Sequence, residues 1–176
     1  MSENLETVIG FDPSLRNWGY CIASFNPETK TLFIKEGGVI NSNPKTQPYQ
    51  NLEDLASATQ LYDGLYKLNQ THKPKYFIAE LPVGSQSARA MVSYGVCIAL
   101  SSVVAYQDGV NTIPLLAVTP QEVKRTVGQL DASKEQVINW VVNTYPEVCA
   151  WLNKYPKGKQ EHICDAIAAT HTALLN

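Results

Sequence analysis

Two acidic residues close short apolar segments, and their positions suggest metal-assisted chemistry. Asp12 follows the run TVIGF, and Glu80 ends the run YFIAE. An acid at the end of a buried strand points into the crevice beyond the sheet, where ligands of α/β folds bind. If the two strands are neighbours, the carboxylates repel each other unless a cation or a shared proton compensates. The alternative is that Asp12 only starts the Asp-Pro-Ser turn and Glu80 faces solvent.

A third carboxylate is expected from a helix late in the chain. In the segment QEHICDAIAATH, Glu161 and His162 lie four and three residues before Asp165, so both share a helix face with it. An alanine-rich face follows Asp165 and would pack on a sheet, which places this acid near the sheet's end. The alternatives are that Glu161 complements the helix dipole and that His162 is a surface or capping residue.

Two acids from strand ends and one from a late helix meet the needs of a two-metal phosphodiesterase. One ion activates water and the other stabilises the leaving 3′-oxygen, about 3.5–4 Å apart. Oxygen ligands with room for water suit Mg²⁺, with Mn²⁺ as a substitute. The predicted metal ligands are Asp12, Glu80, His162 and Asp165, with Glu161 as a further candidate.

The elements that must position these residues follow from apolar patterns and turn signals. Three strands with short connections predict an antiparallel meander, and a proline-containing loop over 41–50 follows it. The predicted strands are 7–11, 18–25, 31–40, 76–80 and 114–118. The predicted helices are one from Leu52 with an apolar stripe of Leu52, Leu55, Thr59, Tyr62, Leu65 and Leu68, then 87–106, two that begin after the caps Thr119 and Ser133, and 161–174 after a proline-interrupted stretch over 145–160.

The resulting order, β-β-β-α-β-α-β-α-α-α, is that of the ribonuclease H-like fold. It predicts an α/β domain over residues 1–176 with a mixed five-stranded sheet, in which a three-strand antiparallel meander joins parallel strands and helices flank the sheet. Four cysteines without a CxxC pair predict buried, reduced thiols in a cytoplasmic protein. No uninterrupted apolar run approaches the ~18–20 residues of a membrane span, so no membrane association is expected.

Four blocks, which together span Val8 to Leu174, resemble the RuvC family of Holliday junction resolvases, especially its compact bacteriophage and prophage members. These blocks are VIGFDPSLRNWGYCIA, FIAELPVGSQSARAMVSYGVCIA, VTPQEVKRTVG with SKEQV, and EHICDAIAATHTAL. The resemblance implies an endodeoxyribonuclease that makes paired nicks in four-way junctions and related branched DNA, such as forks or flaps. By the same resemblance, Asp12, Glu80 and Asp165 match metal ligands, and His162 matches a position that is Asp in some members and His in others.

The resemblance also assigns lysines and an assembly. Lys124 and Lys134 match residues near the scissile phosphate or the DNA backbone, with Lys134 in the catalytic set. Where some resolvases carry an aromatic residue that wedges into the junction, this chain has Val83. A homodimer is implied, and we expect its interface on the apolar helix over 87–106, for which burial in the chain's own core is the alternative.

DNA contact requires local positive charge, because 14 Lys and Arg against 16 Asp and Glu leave a net charge of −2. Lys154, Lys157 and Lys159 would lie in a loop, and the alternative for them is that they are solvated surface residues without a role in DNA binding. The candidate DNA-binding residues are Arg16, Arg89, Lys124, Arg125, Lys134, Lys154, Lys157 and Lys159.

Two other functions are compatible with the same fold. One is a catalytically silent protein that binds branched DNA. The other is a nucleotide-binding protein of the actin-like or sugar-kinase type, in which a glycine-rich phosphate loop lies beside the first acidic strand. Here the residues after Asp12 are Pro-Ser-Leu-Arg, without such a loop.

Overall fold

The computed structural model describes residues 4–107 and 111–176, and a five-stranded sheet lies at its centre. The strands run in the order β3-β2-β1-β4-β7, and they are β1 (Glu6–Asp12), β2 (Asn17–Asn26), β3 (Thr31–Asn41), β4 (Tyr76–Glu80) and β7 (Leu115–Val118). The first three pair antiparallel, whereas β4 is parallel to β1 and β7 is parallel to β4. The predicted mixed sheet is therefore confirmed.

Helices cover both faces of this sheet. The remaining elements are α1 (Gln50–His72), α2 (Ala88–Ala105), β5 (Tyr106–Gln107), β6 (Asn111–Thr112), α3 (Pro120–Val127), α4 (Lys134–Thr144), a 3₁₀ turn (Pro146–Val148), α5 (Cys149–Leu152) and α6 (Lys157–Leu175). Alternate residues of β1 supply two cores: Val8 packs on the α6 side, and Ile9 and Phe11 pack on the opposite side with α1 and α2.

The last helix begins four residues earlier than the sequence predicts, at Lys157 rather than Glu161. Pro156 occupies the N-cap with an extended backbone (φ −63°, ψ 152°), so this proline starts the helix instead of extending the irregular stretch before it. Lys157 and Lys159 therefore lie in the first helical turn, and the prediction that they belong to a loop is wrong.

The predicted apolar stripe of α1 is wrong for most of its members. Leu65 is buried, whereas Leu52, Leu55 and Tyr62 are exposed. Two inward-facing polar side chains of α1, Asp54 and Ser57, are bound by Arg89 and Arg16 from outside the helix, and the buried face therefore differs from the predicted apolar stripe. The buried residues of α1 are Asp54, Ser57, Leu61, Leu65 and Asn69.

Helix α2 corrects two further expectations. It is buried along one face only, which includes Cys97 and Val104, whereas Met91, Val92 and Ile98 are exposed. By length and composition alone its 18 residues could cross a membrane, so the expectation that no segment reaches that size is wrong. Serines within α2 interrupt its run of apolar residues, but the helix as a whole stays apolar. Core helices of soluble proteins can share these features.

Candidate active site

Adjacent parallel strands bring the first two predicted acids together. Asp12 ends β1 and Glu80 ends β4. The last register pair between β1 and β4 is Phe11 with Ala79, and each acid directly follows its member of that pair. Each of the two strands therefore places its carboxylate at the same edge of the sheet, as expected for parallel neighbours.

Helix α6 brings the third acid to this edge because two strand glycines let it approach the sheet. A Cβ atom at Gly10 would overlap Thr170, and one at Gly19 would overlap the backbone carbonyl of His162. Gly19 is also the register partner of Asp12, so the helix meets the sheet where the first acid lies. Sequence reasoning missed both glycines, because the helix that they contact comes from the far end of the chain.

His162 and Asp12 form a direct polar contact that joins helix α6 to strand β1. Nδ1 of His162 lies 2.6 Å from Oδ2 of Asp12, and both side chains are largely buried. This hydrogen bond is the main cause that raises the pKa of His162, and it outweighs the opposing effect of burial. The contact therefore favours an imidazolium beside a carboxylate.

Glu80 and Asp165 both have raised pKa values. Burial, followed by the charge of Asp12, raises the pKa of Glu80 to about 8 and that of Asp165 to about 7. Lys124 partly opposes the shift at Glu80, and Lys134 partly opposes the shift at Asp165. Three carboxylates at one partly buried edge thus cannot all ionise freely near neutral pH.

The donor set fits a hard divalent cation, although its side chains are not arranged around one point. Within residues 4–107 and 111–176, no three His, Cys, Asp or Glu side chains form a group that could hold a metal ion as they stand. Asp12 is bound to His162 instead. Carboxylate oxygens with raised pKa values are nevertheless the ligands that a bound cation would return to their charged form. Asp12, Glu80 and Asp165, with His162 beside them, are therefore the residues that could hold it.

Lys134 and Glu161 form an ion pair beside these acids. The Nζ atom of Lys134 lies 2.5 Å from Oε2 of Glu161, and this contact raises the pKa of the lysine. Ser133 caps the helix that begins with Lys134, and this cap fixes where the lysine stem leaves the backbone. Glu161 is thus held by a lysine, which neither of its two predicted roles included.

Two of the three candidate arginines, Arg16 and Arg89, are paired with acids of α1. Arg16 donates to Ser57 Oγ at 2.8 Å and contacts Glu53 Oε2 at 3.3 Å. Arg89 forms a bidentate ion pair with the buried carboxylate of Asp54. Both cations therefore brace helix α1 in this structure.

The remaining candidate cations are spread around the molecule. Arg125 lines a groove of about 770 Å³ along the outer side of β7, together with Glu122. Lys157 lines a cavity of about 560 Å³ with Lys134. Lys159 donates to Asn41 Oδ1 at 2.8 Å. The structure thus brings Lys124 and Lys134 to the acids, but it does not gather the eight predicted cations into one patch.

Comparison with known proteins gives a consistent result. The family model "Crossover junction endodeoxyribonuclease RuvC" matches residues 8–172. A protein of that name from Salinibacter ruber is 35% identical over 132 residues, which cover 74% of this chain and 67% of the relative. Among solved structures, Thermus thermophilus RuvC with a Holliday junction substrate aligns with a TM-score of 0.71 at 18% identity, over 95% of this chain and 92% of that one.

A viral structure has the same fold. The fowlpox virus Holliday junction resolvase aligns with a TM-score of 0.56 at 14% identity, over 96% of this chain and 99% of that one. At these identities the two structural matches report the fold, and the family model and the bacterial relative report the family.

Proposed function

The chain belongs to the RuvC family of crossover junction endodeoxyribonucleases, and we propose that its acidic sheet edge is the catalytic centre. Family membership makes it a metal-dependent nuclease of the Holliday junction resolvase class. We propose Asp12, Glu80 and Asp165 as ligands of two Mg²⁺ ions, with Mn²⁺ as a substitute. The observation that carries this assignment is the placement of Glu80 and Asp165 in a partly buried position beside Asp12, which raises the pKa of each.

The bound ions would supply a water nucleophile and stabilise the charge that develops on the leaving 3′-oxygen. The chain's own residues create the conditions for this chemistry. Burial keeps Glu80 and Asp165 in a low-dielectric environment, where their charge attracts a cation strongly. His162 holds Asp12 through Nδ1, and it would have to yield that oxygen or join the ligand set when a cation binds.

Lys134 is proposed to contact the DNA backbone next to the cleaved phosphate. It is exposed, and its partner Glu161 is the acid nearest to it. A phosphate could replace the Glu161 carboxylate as the partner of this lysine, because both are oxyanions. Lys124, whose charge already acts on Glu80, is proposed to contact the backbone from α3.

The other cations are proposed to act in binding alone. Lys154, Lys157 and Lys159 cluster before and within the first turn of α6, whose later residues include His162 and Asp165. Each phosphate that such a lysine neutralises steepens the dependence of log K on log salt by about 0.9. Arg125 is proposed as a peripheral contact. Arg16 and Arg89 would contact DNA only by leaving their α1 partners.

A homodimer is proposed, with the exposed apolar face of α2 as its interface. Met91, Val92 and Ile98 leave 43–53% of their surface exposed, and Gly95 has open space around it. A second copy would bury this face and present two sites to two DNA strands. We propose this use of α2 in place of membrane insertion, in keeping with a cytoplasmic DNA-processing enzyme.

Four-way junctions are proposed as the substrate, with forks and flaps as further branched forms that the enzyme cuts by paired nicks. Family membership sets aside the nucleotide-binding alternative. A silent DNA-binding protein would not need three acids at one sheet edge.

Incubation of the protein with end-labelled four-way junction, fork and duplex DNA tests the proposal. The account expects symmetric nicks in the junction with Mg²⁺ or Mn²⁺, and none in EDTA. Cleavage of duplex at the same rate would contradict junction selectivity. Binding without cleavage in any metal would favour the silent protein.

A further inference from the structure

Leu130 is exposed at the tip of the loop that joins α3 to α4, where 66% of its surface faces solvent. A single exposed leucine is common on protein surfaces and by itself means little. The loop around it, however, is firmly held. Gly128 ends α3 in the left-handed conformation at φ +94°, and Ala132 N donates to Gln129 O at 3.2 Å. Gln136 Nε2 also donates to Gln129 Oε1 at 2.6 Å, so the tip is braced from α4.

Both ends of this loop are anchored at the acidic edge. Lys124 in α3 acts on Glu80, and Lys134 at the start of α4 pairs with Glu161 and acts on Asp165. Leu130 lies four positions before Lys134, so their Cα atoms are at most ~14 Å apart. This is the length of about four base steps of DNA, at about 3.4 Å each. The backbone of Leu130 is therefore a few base steps at most from the backbone of the lysine proposed to contact DNA.

Few large apolar side chains share this location. Within the described ranges, the other strongly exposed ones lie on α1, α2 and the outer strands or near the amino terminus, apart from Val83 in the loop after Glu80. Leucine is longer than valine and is not branched at Cβ, so it reaches further from its backbone.

We propose that Leu130 is an apolar wedge that contacts base faces at the branch point of the DNA. Aliphatic side chains are able to enter between base steps, and the energetic cost of such entry is the unstacking of those bases. At a branch point the stack is already interrupted, so that cost is smaller there than in continuous duplex. Leu130 would thus favour branched over linear DNA. This inference rests on the proposed function, because it takes branched DNA as the ligand.

The test compares Leu130→Ala with Leu55→Ala, a matched control. Leu55 is 64% exposed but lies on α1, where no predicted site residue is found. A four-way junction carries 2-aminopurine at the branch point or, in a second version, within one arm. Binding is titrated in EDTA by fluorescence and by gel shift, with a matched duplex in parallel. Thermal unfolding of each variant reports its fold.

We expect wild type and Leu55→Ala to raise 2-aminopurine fluorescence at the branch point, and not in the arm. Leu130→Ala should lose that signal and about tenfold in junction affinity, with unchanged duplex affinity and unfolding. Leu130→Met should keep both the fluorescence signal at the branch point and the junction affinity of wild type, because methionine is also long and apolar. Junction affinity and fluorescence equal to wild type in Leu130→Ala would overturn the wedge. A wild type that does not distinguish junction from duplex would overturn the proposed function instead.

Discussion

Nδ1 of His162 lies 2.6 Å from Oδ2 of Asp12, across a contact that joins the last helix to the first strand of the sheet. The hydrogen bond raises the pKa of the imidazole. Burial, and after it the same Asp12 charge, raises the pKa values of Glu80 and Asp165. One carboxylate thus favours a positive neighbour and disfavours two negative ones, which is the electrostatic behaviour of a cation site without its cation charge.

We predict that Mg²⁺ affinity rises with pH between about 6 and 9. Glu80 and Asp165, with pKa values of about 8 and about 7, hold protons that compete with the cation at the lower end of this range. At higher pH these protons dissociate, and the two carboxylates become negatively charged. Mg²⁺ titration by calorimetry at several pH values measures the effect. In Glu80→Gln the pH dependence should become shallower, and an unchanged pH dependence would remove Glu80 from the site.

Gly19→Ala is predicted to damage the site through the backbone. The added Cβ would overlap the His162 carbonyl, so α6 must shift at the residue that contacts Asp12. Overpacking of this kind costs about 1–3 kcal/mol of the free energy of unfolding. A displacement near the reacting groups should also slow cleavage at least about tenfold.

Gly158→Ala provides the matched control for this change. A Cβ at Gly158 meets nothing within 4 Å, and alanine suits a helix better than glycine. Urea unfolding and single-turnover cleavage should therefore match or exceed wild type for Gly158→Ala. Equal behaviour of the two variants would show that the approach of α6 to β2 does not set the site geometry.

Lys134 is predicted to act in the chemical step rather than in binding. Lys134→Ala removes a positive charge that acts on Asp165, so the single-turnover rate at saturating enzyme should fall at least about tenfold. Glu161→Gln breaks the ion pair at 2.5 Å and frees the lysine for the cleaved phosphate, so the single-turnover rate at saturating enzyme should stay equal or rise. A fall of that rate in Glu161→Gln would contradict this exchange of partners.

The lysines near the start of α6 should behave differently. Replacement of Lys154, Lys157 and Lys159 by alanine together should weaken DNA binding and lower the salt slope by up to about three units. The cleavage rate at saturating enzyme should remain close to that of wild type. A rate defect at saturation, with an unchanged salt slope, would reverse the roles of these lysines and Lys134.

Stability at acid pH is predicted to depend on His171. Tyr145 Oη lies 2.7 Å from its Nδ1, Trp140 packs edge-on against its ring, and burial lowers its pKa. Because the pKa of His171 is lower in the folded protein, the unfolded chain binds a proton at a higher pH than the folded protein does. Stability is therefore lost as pH falls below the unfolded value of about 6.5.

His171→Gln cannot gain this charge, and comparison with it isolates the effect from the acids of the site. Wild type should exceed His171→Gln by about 1 kcal/mol in the free energy of unfolding at pH 8. The difference should shrink at pH 5.5, as urea unfolding at both pH values would report. A difference that grows at pH 5.5 would contradict a neutral, buried imidazole.

The strand order and the ends that carry Asp12 and Glu80 follow from local signals. Turn residues and short apolar runs indicate where each strand ends. A carboxylate at that end points into the crevice beyond the edge of the sheet. The predicted face of α1 failed because Arg89 and Arg16 bind Asp54 and Ser57 from distant positions in the chain. Long-range ion pairs leave no periodic signal, so sequence patterns alone could not show that these arginines are already partnered.

The start of α6 and the glycines beneath it illustrate the same limit. Pro156 reads equally as a loop residue or as a helix start, and only the packing of α6 on the sheet decides between them. Gly19 becomes significant once His162 is known to cross above it. Residues far apart in sequence create that contact, so tertiary structure was needed to see it.

The central claim is that Glu80 belongs to a cation site that cleaves DNA, and Glu80→Gln tests it most directly. Without metal and at a pH above about 8, where Glu80 is ionised, its charge adds to those of Asp12 and Asp165 in opposing an incoming phosphate, and the amide removes that charge at constant shape. Gel-shift titration in EDTA and cleavage in Mg²⁺ are measured on the same four-way junction. The account predicts that cleavage disappears while junction affinity in EDTA stays equal or rises. Cleavage at the wild-type rate, or junction affinity well below wild type, would contradict it.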